Sequence, residues 1–236
     1  MAYRFLNRPQ IQKLLNHKNH TLVINWLNEL VKTKHIVSEF KRQLGNVPSV
    51  YFLGTNGRKE LLKRTDTKQK LLKRVYQEKK ASLAFRNRCM AVADIYISLL
   101  SLTQKNKAIL SFYTTVDLTD MKYLPLPHPD AFFSIQQKEF TKRYFIDVFD
   151  SQASEKWIYK RVQQYFKYFE ENYWQDHNKN PFPEILFVYQ ESMTKKYLEA
   201  LIKKRIDEYE DISFSLIFSD DIKQKGVSKE ILHKVR

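Results

Sequence analysis

The sequence contains a single cysteine, Cys89, among 236 residues. One cysteine excludes an intrachain disulfide and a cysteine zinc cluster, and its scarcity fits a reducing cytoplasm. The first ten residues, "MAYRFLNRPQ", lack the apolar core of a secretory signal. No stretch approaches the roughly 18 apolar residues of a membrane span. We therefore expect a cytoplasmic protein that does not partner with a membrane.

The common short motifs of catalysis and metal binding are also missing. The six histidines are scattered, and there is no HExxH, CxxC or GxSxG. His17, His20 and His35 lie close together without the spacing of metal ligands. The glycine segment "GTNGRKE" lacks the GxxxxGK[ST] pattern of a nucleotide-binding loop. No cofactor is therefore predicted.

Acidic residues are scarce in the first part of the chain. Residues 1–90 hold 20 Lys and Arg but only 5 Asp and Glu, whereas residues 91–236 hold 21 of each kind. The whole net charge of +15 therefore lies in the first 90 residues. Such asymmetry favours a polyanionic partner, and double-stranded DNA is the usual one. The alternative is a basic surface that serves only solubility.

The first 50 residues have the pattern of a winged helix-turn-helix. "RPQIQKLLNH" and "TLVINWLNELVKTK" predict two helices, the second with Thr21 as its cap. Its predicted apolar face is formed by Leu22, Trp26, Leu27 and Leu30 and widened by Val23 and Ile24. Strands are predicted at Ile36–Phe40 and Val50–Leu53, with a wing tip at Lys41–Ser49. Two helices followed by a β-hairpin is the order of a winged helix.

A basic helix is predicted to follow the wing. Arg58 to Lys80 is strongly basic, with leucines at helical spacing, and Gly54–Gly57 is interpreted as the turn before it, with Asn56 or Gly57 at positive φ. We place a domain boundary near residue 80, giving a DNA-binding domain at 1–80 and an α/β domain at 81–236. The residues predicted to contact DNA are Lys18, Asn19, His20, Thr21, Asn25, Asn28, Lys41, Arg42, Gln43, Arg58, Lys59, Lys63 and Arg64.

The second part of the chain predicts an α+β fold with a mixed sheet. Three strand patterns are followed by a helix, a strand, a helix and a final strand. Asp130 and Asp147 fall on neighbouring predicted strands of a hairpin, where their carboxylates can approach each other. Paired carboxylates can hold Mg²⁺ or Mn²⁺, which activates water against a phosphodiester.

An active metal-dependent nuclease of the Asp-(Asp/Glu)-x-Lys type is therefore the alternative function. Its metal ligands would come from Asp94, Asp117, Asp130 and Asp147, and its catalytic residues would be Asp130, Asp147 and Lys160. Phe149 stands where the pattern requires lysine, so Lys160 on the next helix would have to substitute. The competing interpretation is that these carboxylates have ordinary hydrogen-bonding roles.

The assembled segments resemble the replication-relaxation family of bacterial plasmids and mobile elements. The resemblance rests on "YRFLNRPQIQKLL", "INWLNELVKTKHI", "VYFLGTNGRKELL", "RCMAVADIYISL", "HPDAFF", "YFIDVFD", "YKRVQQYFKYF" and "FPEILFVY". It implies a winged helix-turn-helix followed by a restriction-endonuclease-like α/β domain.

The resemblance also implies a bacterial cytoplasmic protein that acts in plasmid replication, DNA relaxation or conjugative mobilisation. Its implied partners are origin-type duplex DNA, a relaxase or replication protein, and a second copy in a homodimer. Arg88 stands where the family pattern has histidine, and "DVFD" stands where that pattern has an acidic-x-acidic-Gly run. Both departures speak against catalysis. A DNA-binding accessory protein is therefore preferred to a nuclease, and a transcriptional repressor is the third hypothesis.

Overall fold

The structure is a computed structural model that describes residues 3–39, 48–64, 69–227 and 232–235. These residues form two compact units, Tyr3–Ala93 and the chain from Asp94 onward. Each unit is described by itself below.

The division falls at Ala93, not near residue 80 as the sequence suggested. The residues on both sides of position 80 are tied to the first unit by polar contacts. Arg4 forms a salt bridge with Glu78 at 3.1 Å, and the Gln10 amide donates to the Met90 carbonyl at 2.8 Å. The basic region and the start of the next helix therefore pack with the first unit.

The first unit combines a small antiparallel sheet with helices. The sheet has the order β1-β3-β2, and both pairings are antiparallel. Its elements are β1 (Leu6–Asn7), α1 (Arg8–Leu14), α2 (His20–Lys32), β2 (Ile36–Glu39), β3 (Val50–Leu53), α3 (Thr55–Leu62), α4 (Gln69–Gln77) and the first half of α5 (Leu83–Lys105). The two predicted helices and the predicted strand pair are thus present, and β1 is an additional edge strand.

Close backbone approach explains the two glycines after β3. Gly54 caps α3 and Gly57 lies inside it, so the segment is the start of a helix and not the predicted turn. Neither Asn56 nor Gly57 has positive φ. A Cβ at Gly54 would collide with the Lys34 carbonyl oxygen, and one at Gly57 with that of His35. The absence of side chains at these two positions lets α3 lie against the backbone of Lys34 and His35, just before β2.

The single basic helix predicted from Arg58 to Lys80 is instead two helices. α3 ends at Leu62 and α4 begins at Gln69. The backbone after α3 closes at its C-cap, Lys63. The prediction followed the leucine spacing, which continues past the end of α3.

The second unit contains a six-stranded mixed sheet with the order β4-β5-β6-β7-β8-β9. The β4–β5, β5–β6 and β8–β9 pairs are antiparallel, and β6–β7 and β7–β8 are parallel. The strands are β4 (Ile109–Thr114), β5 (Ala131–Gln137), β6 (Phe140–Phe149), β7 (Glu184–Tyr189), β8 (Phe214–Phe218) and β9 (His233–Val235). The predicted mixed sheet is confirmed, and β9 is an edge strand that the sequence patterns did not reveal.

Helices connect the parallel strands of this sheet. They are α6 (Glu155–Glu170) and α7 (Tyr173–His177) between β6 and β7, and α8 (Ser192–Lys203) between β7 and β8, whereas α9 (Ser219–Lys225) follows β8 and precedes the antiparallel β9. β7 is apolar from Ile185 to Tyr189 and buried throughout, as expected for a central parallel strand covered on both faces. α6 and α8 pack against β6, β7 and β8 in one aromatic-rich core that includes Phe145, Tyr165 and Phe187. Among the described residues, no helix is long and apolar enough to cross a membrane.

Candidate functional site

The start of α2 is positioned by Asn19. Its side chain accepts a hydrogen bond from the Leu22 amide at 3.2 Å, which satisfies a backbone donor of the first turn. The sequence assigned the cap to Thr21, but Thr21 lies inside the first turn and is exposed. Lys18 and His20, on either side of the cap, are also exposed. Asn19 therefore has a structural role even though it was predicted to contact DNA.

The outward surface of α2 differs from the prediction. Asn25 and Asn28 are exposed, as a DNA-contacting role requires. Of the predicted apolar face, however, only Val23 and Leu27 are buried. Leu22, Trp26 and Leu30 are 42%, 43% and 39% exposed. The helix packs through a narrow strip, and a second group of apolar residues faces solvent.

The predicted wing residues Lys41, Arg42 and Gln43 lie outside the described residues. The two strands that would flank them are described, and Glu39 in β2 pairs with Val50 in β3. Glu39 also forms a salt bridge with Arg86 of α5. The base of the hairpin is therefore anchored within the first unit.

α3 and α4 carry a group of exposed lysines. Lys59, Lys63, Lys70 and Lys73 are all exposed, and we call these four residues the basic face. Lys63 forms an exposed salt bridge with Glu60 at 2.7 Å, whereas Lys59, Lys70 and Lys73 have no acidic partner among the described residues. Arg64, the residue after Lys63, is also exposed. The surface is suited to an anionic partner.

Tyr76 joins α3 and α4 beside the basic face. Its hydroxyl hydrogen-bonds with the Thr55 hydroxyl at 3.1 Å and accepts from the Lys79 ammonium at 3.4 Å. The Arg58 guanidinium lies over the ring at 5.1 Å from its centroid. The hydrogen bonds to Thr55 and Lys79 lower the pKa of Tyr76. Arg58 is thus partly packed, unlike the four lysines of the basic face.

In the second unit, Asp130 and Asp147 do come together. Asp130 directly precedes β5, and the pairing of Ala131 with Ile146 places it beside the end of β6. Its carboxylate accepts from the Val148 amide at 2.9 Å. Both carboxylates act electrostatically on one guanidinium, that of Arg161. The hairpin geometry inferred from the sequence spacing is therefore present.

Arg161, which the sequence analysis missed, occupies the centre of this cluster. Its Nε donates to Asp147 Oδ2 at 2.8 Å, and the Tyr165 hydroxyl donates to the same oxygen at 2.5 Å. The remaining guanidinium donors meet the Pro127 carbonyl, the Gln164 amide oxygen and the Tyr165 hydroxyl. Arg161 and Asp147 are 3% and 2% exposed, so this is a buried ion pair.

The pKa shifts in the cluster reflect this burial. Burial raises the pKa of Tyr165 well above its usual value, and the Asp147 carboxylate adds to the effect. For Arg161, burial favours the neutral form, but the Asp147 carboxylate outweighs it and the pKa is raised. Arg161 is three positions after Ile158 and four before Tyr165, so it falls on the buried stripe of α6. That periodicity was the available signal; Lys160, which was predicted instead, is exposed.

These carboxylates do not fit a Mg²⁺ or Mn²⁺ site. Asp147 Oδ2 is occupied by Arg161 and Tyr165, and Asp117 Oδ2 accepts from both the amide and the hydroxyl of Thr114. Within the described ranges, no three His, Cys, Asp or Glu side chains are grouped to hold a metal ion. Asp94, on α5, adds no third ligand to the pair. A hard divalent cation needs several oxygen ligands, and here the guanidinium already supplies the positive charge.

One further buried carboxylate follows β6. Asp150 is 3% exposed; its Oδ1 accepts from the Gln152 amide at 3.1 Å, and its Oδ2 has no hydrogen-bond partner in the described structure. It belongs to the "DVFD" segment but did not appear among the predicted site residues. Asp150 does not complete a metal-binding group.

Together these features define an α+β protein with a basic helical unit and a mixed-sheet unit that has a buried Asp–Arg–Tyr cluster. The family model for replication-relaxation matches residues 2–185. The chain therefore belongs to the replication-relaxation family, as its sequence motifs predicted. No curated protein matches it at a significant level.

Among solved structures, the chain is similar to two structures of the restriction endonuclease FokI. The free enzyme matches with 12% identity and a TM-score of 0.36, covering 96% of this chain and 42% of that one. The enzyme bound to DNA matches with 13% identity and a TM-score of 0.33, covering 96% and 43%. This chain thus spans less than half the length of those proteins. The similarity is too low to assign function, and the restriction-endonuclease-like class of the second unit stays a prediction.

Proposed function

We propose that this protein is a DNA-binding accessory protein of a plasmid or mobile element. It would bind origin-type duplex DNA in replication, relaxation or conjugative mobilisation, through a winged helix and the basic face. The single observation that carries the proposal is the confinement of all +15 net charges to the first 90 residues. A surface with that charge attracts the phosphate backbone and releases its counterions on binding.

The topology of the first unit supports a winged helix. α1 and α2 are joined by a short connection, and the antiparallel strands β2 and β3 follow directly. β1 pairs with the other side of β3 and completes a three-stranded sheet. In helix-turn-helix proteins the second helix enters the major groove, so α2 is assigned that role.

The basic face supports a backbone-contacting role for α3 and α4. Its lysines have long flexible side chains that can reach phosphates, and three of the four have no ion-pair partner in the described parts of the chain. Such contacts position a protein on the duplex without recognising sequence. Base recognition is left to α2, which has only one basic residue, Lys32, in its last turn.

The second unit is proposed to recruit a relaxase or replication protein, or to form a homodimer. Residues 91–236 hold equal numbers of basic and acidic residues, so they lack the electrostatic attraction to DNA of residues 1–90. The guanidinium at the carboxylate pair leaves no place there for a catalytic cation. A structural and partner-binding role fits these observations better than cleavage.

The test is the salt dependence of binding to a labelled duplex, measured by fluorescence anisotropy. We expect affinity to fall steeply with salt, with a slope of about 0.9 for each phosphate contact. Lys59→Gln, Lys70→Gln and Lys73→Gln combined should lower that slope by about 3. The matched control combines Lys196→Gln, Lys203→Gln and Lys204→Gln, exposed lysines at and just beyond α8, and should leave it unchanged. Salt-independent binding, or no binding to any duplex, contradicts the proposal.

A plasmid assay tests the nuclease alternative separately. We expect supercoiled plasmid incubated with the protein and Mg²⁺ or Mn²⁺ to stay supercoiled, because the candidate ligands are already engaged. Nicking that disappears in Asp130→Ala would establish the metal-dependent nuclease instead.

A further inference from the structure

The solvent-facing side of α2 carries two different kinds of chemistry. Leu22, Trp26 and Leu30 are spaced four residues apart, so they form a continuous exposed row, which we call the apolar stripe. Asn25 and Asn28 are exposed on the Leu22 side of this row, about 60° and 120° around the helix from Leu22, and we call them the amide pair. α2 packs through the buried Val23 and Leu27, and of these two sets the Trp26 ring meets the His17 ring edge-to-face at 4.8 Å.

These two groups match the major-groove edge of an A·T base pair. Thymine presents a methyl group there, which makes apolar contacts, and adenine presents a donor and an acceptor that suit an Asn side chain. Guanine is usually recognised by Arg or Lys, and α2 has neither before Lys32. Glu29, the one acidic residue of α2, is exposed and would repel a phosphate but can accept from a base amino group.

Charge complementarity identifies the occupant of the apolar stripe as DNA. An exposed apolar row is often a protein contact, but a second copy would bring two strongly basic units together. A duplex instead neutralises that charge while presenting thymine methyls to the stripe. The placement of the amide pair alongside also favours an occupant with paired donors and acceptors.

We propose that α2 recognises A·T base pairs in the major groove, with the apolar stripe on thymine methyls and the amide pair on adenine edges. This inference rests on the proposed function and adds to it the class of sequence that is bound. Replacing thymine by uracil removes the methyl without altering base pairing. Each methyl buried against the stripe corresponds to about fourfold in affinity.

The experiment begins with full-length protein and duplexes enriched by binding from a random pool. We expect A·T-rich sites, and we expect the same duplex with uracil in place of thymine to bind about fourfold more weakly for each contacted methyl. Because only the DNA is changed, this comparison does not depend on any variant being folded. Leu22→Ala should then bind thymine and uracil duplexes more equally, whereas Leu15→Ala, an exposed leucine just beyond the end of α1, should keep the wild-type ratio.

The outcomes separate this inference from the proposed function. Salt-dependent binding with equal affinity for thymine and uracil duplexes, or enrichment of G·C-rich sites, overturns A·T recognition and leaves DNA binding intact. Absence of duplex binding overturns both. A dimer in analytical ultracentrifugation that Trp26→Ala dissociates, with no change in the thymine-to-uracil ratio, would assign the stripe to a second copy.

Discussion

Replacing Arg161 should strongly destabilise the second unit. The Arg161 guanidinium donates to Asp147, Pro127, Gln164 and Tyr165, and it is nearly fully buried. Arg161→Met leaves the buried Asp147 carboxylate without its counter-charge, whereas the Pro127 carbonyl still accepts from the Gln164 side chain at 3.1 Å. Removing one partner of a buried ion pair costs about 3–5 kcal/mol, and we expect the free energy of unfolding to fall by that amount.

The assay is urea unfolding followed by tryptophan fluorescence. The chain has three tryptophans, and in a Trp26→Phe background the remaining Trp157 and Trp174 report only on the second unit. Trp174 is buried and Trp157 contacts the Phe149 ring at 4.9 Å, so both should respond when this core opens.

The neighbouring exposed residue provides the control. Lys160→Met removes the same charge from the same helix and should change stability by no more than about 0.5 kcal/mol. The double variant Asp147→Leu with Arg161→Met removes both charges and should recover most of the loss. If Arg161→Met is no worse than Lys160→Met, or if the two core changes are simply additive, the buried pair does not support the fold as argued.

Three further predictions concern other elements. Gly57→Ala should lower the free energy of unfolding of the first unit by about 1–3 kcal/mol, because its Cβ would collide with the His35 carbonyl. Thermal unfolding monitored at Trp26 measures this loss, and an unchanged melting temperature would contradict the close approach. Asn19→Ala should cost about 1 kcal/mol as a lost helix cap, visible in the same melt, whereas Asn19→Ser should retain most of it. Burial, with Glu184 nearby, raises the pKa of Tyr144 to about 12. The second unit should therefore lose stability between about pH 10 and pH 12, because the phenol ionises at a lower pH in the unfolded chain. Tyr144→Phe should flatten this part of the plot of unfolding free energy against pH, and an unaltered plot would show that this phenol is not the cause.

Much of the architecture could be predicted because local patterns and burial agree. The strand at Glu184–Tyr189 is apolar from Ile185 onward, and the strand pair at Ile36 and Val50 is bounded by turn residues, so both were found. The edge strand His233–Val235 is only three residues long, and only its last residue is buried. Its pairing with β8 is a tertiary event with no local pattern to reveal it.

The candidate sites show the same division. The spacing of Asp130 and Asp147 across a hairpin was enough to predict that they lie close together, because strand register fixes which residues face each other. Periodicity also placed Arg161 on the buried side of α6, but a charged residue on an apolar stripe was passed over in favour of exposed Lys160. The buried position of a cation is explained only by the carboxylate and carbonyl that receive it.

The sequence by itself determined the charge asymmetry, most of the order of helices and strands, and the membership of the replication-relaxation family, since all three depend on composition and local order. Only the tertiary structure decided which of α2's many apolar residues are covered. Leu22, Trp26 and Leu30 have the same chemical character as Val23 and Leu27, and whether each is buried depends on where the sheet and the neighbouring helices lie. In the same way, the close contact of α3 with the backbone of Lys34 and His35 explains Gly54 and Gly57, whose backbone angles alone would suit any residue.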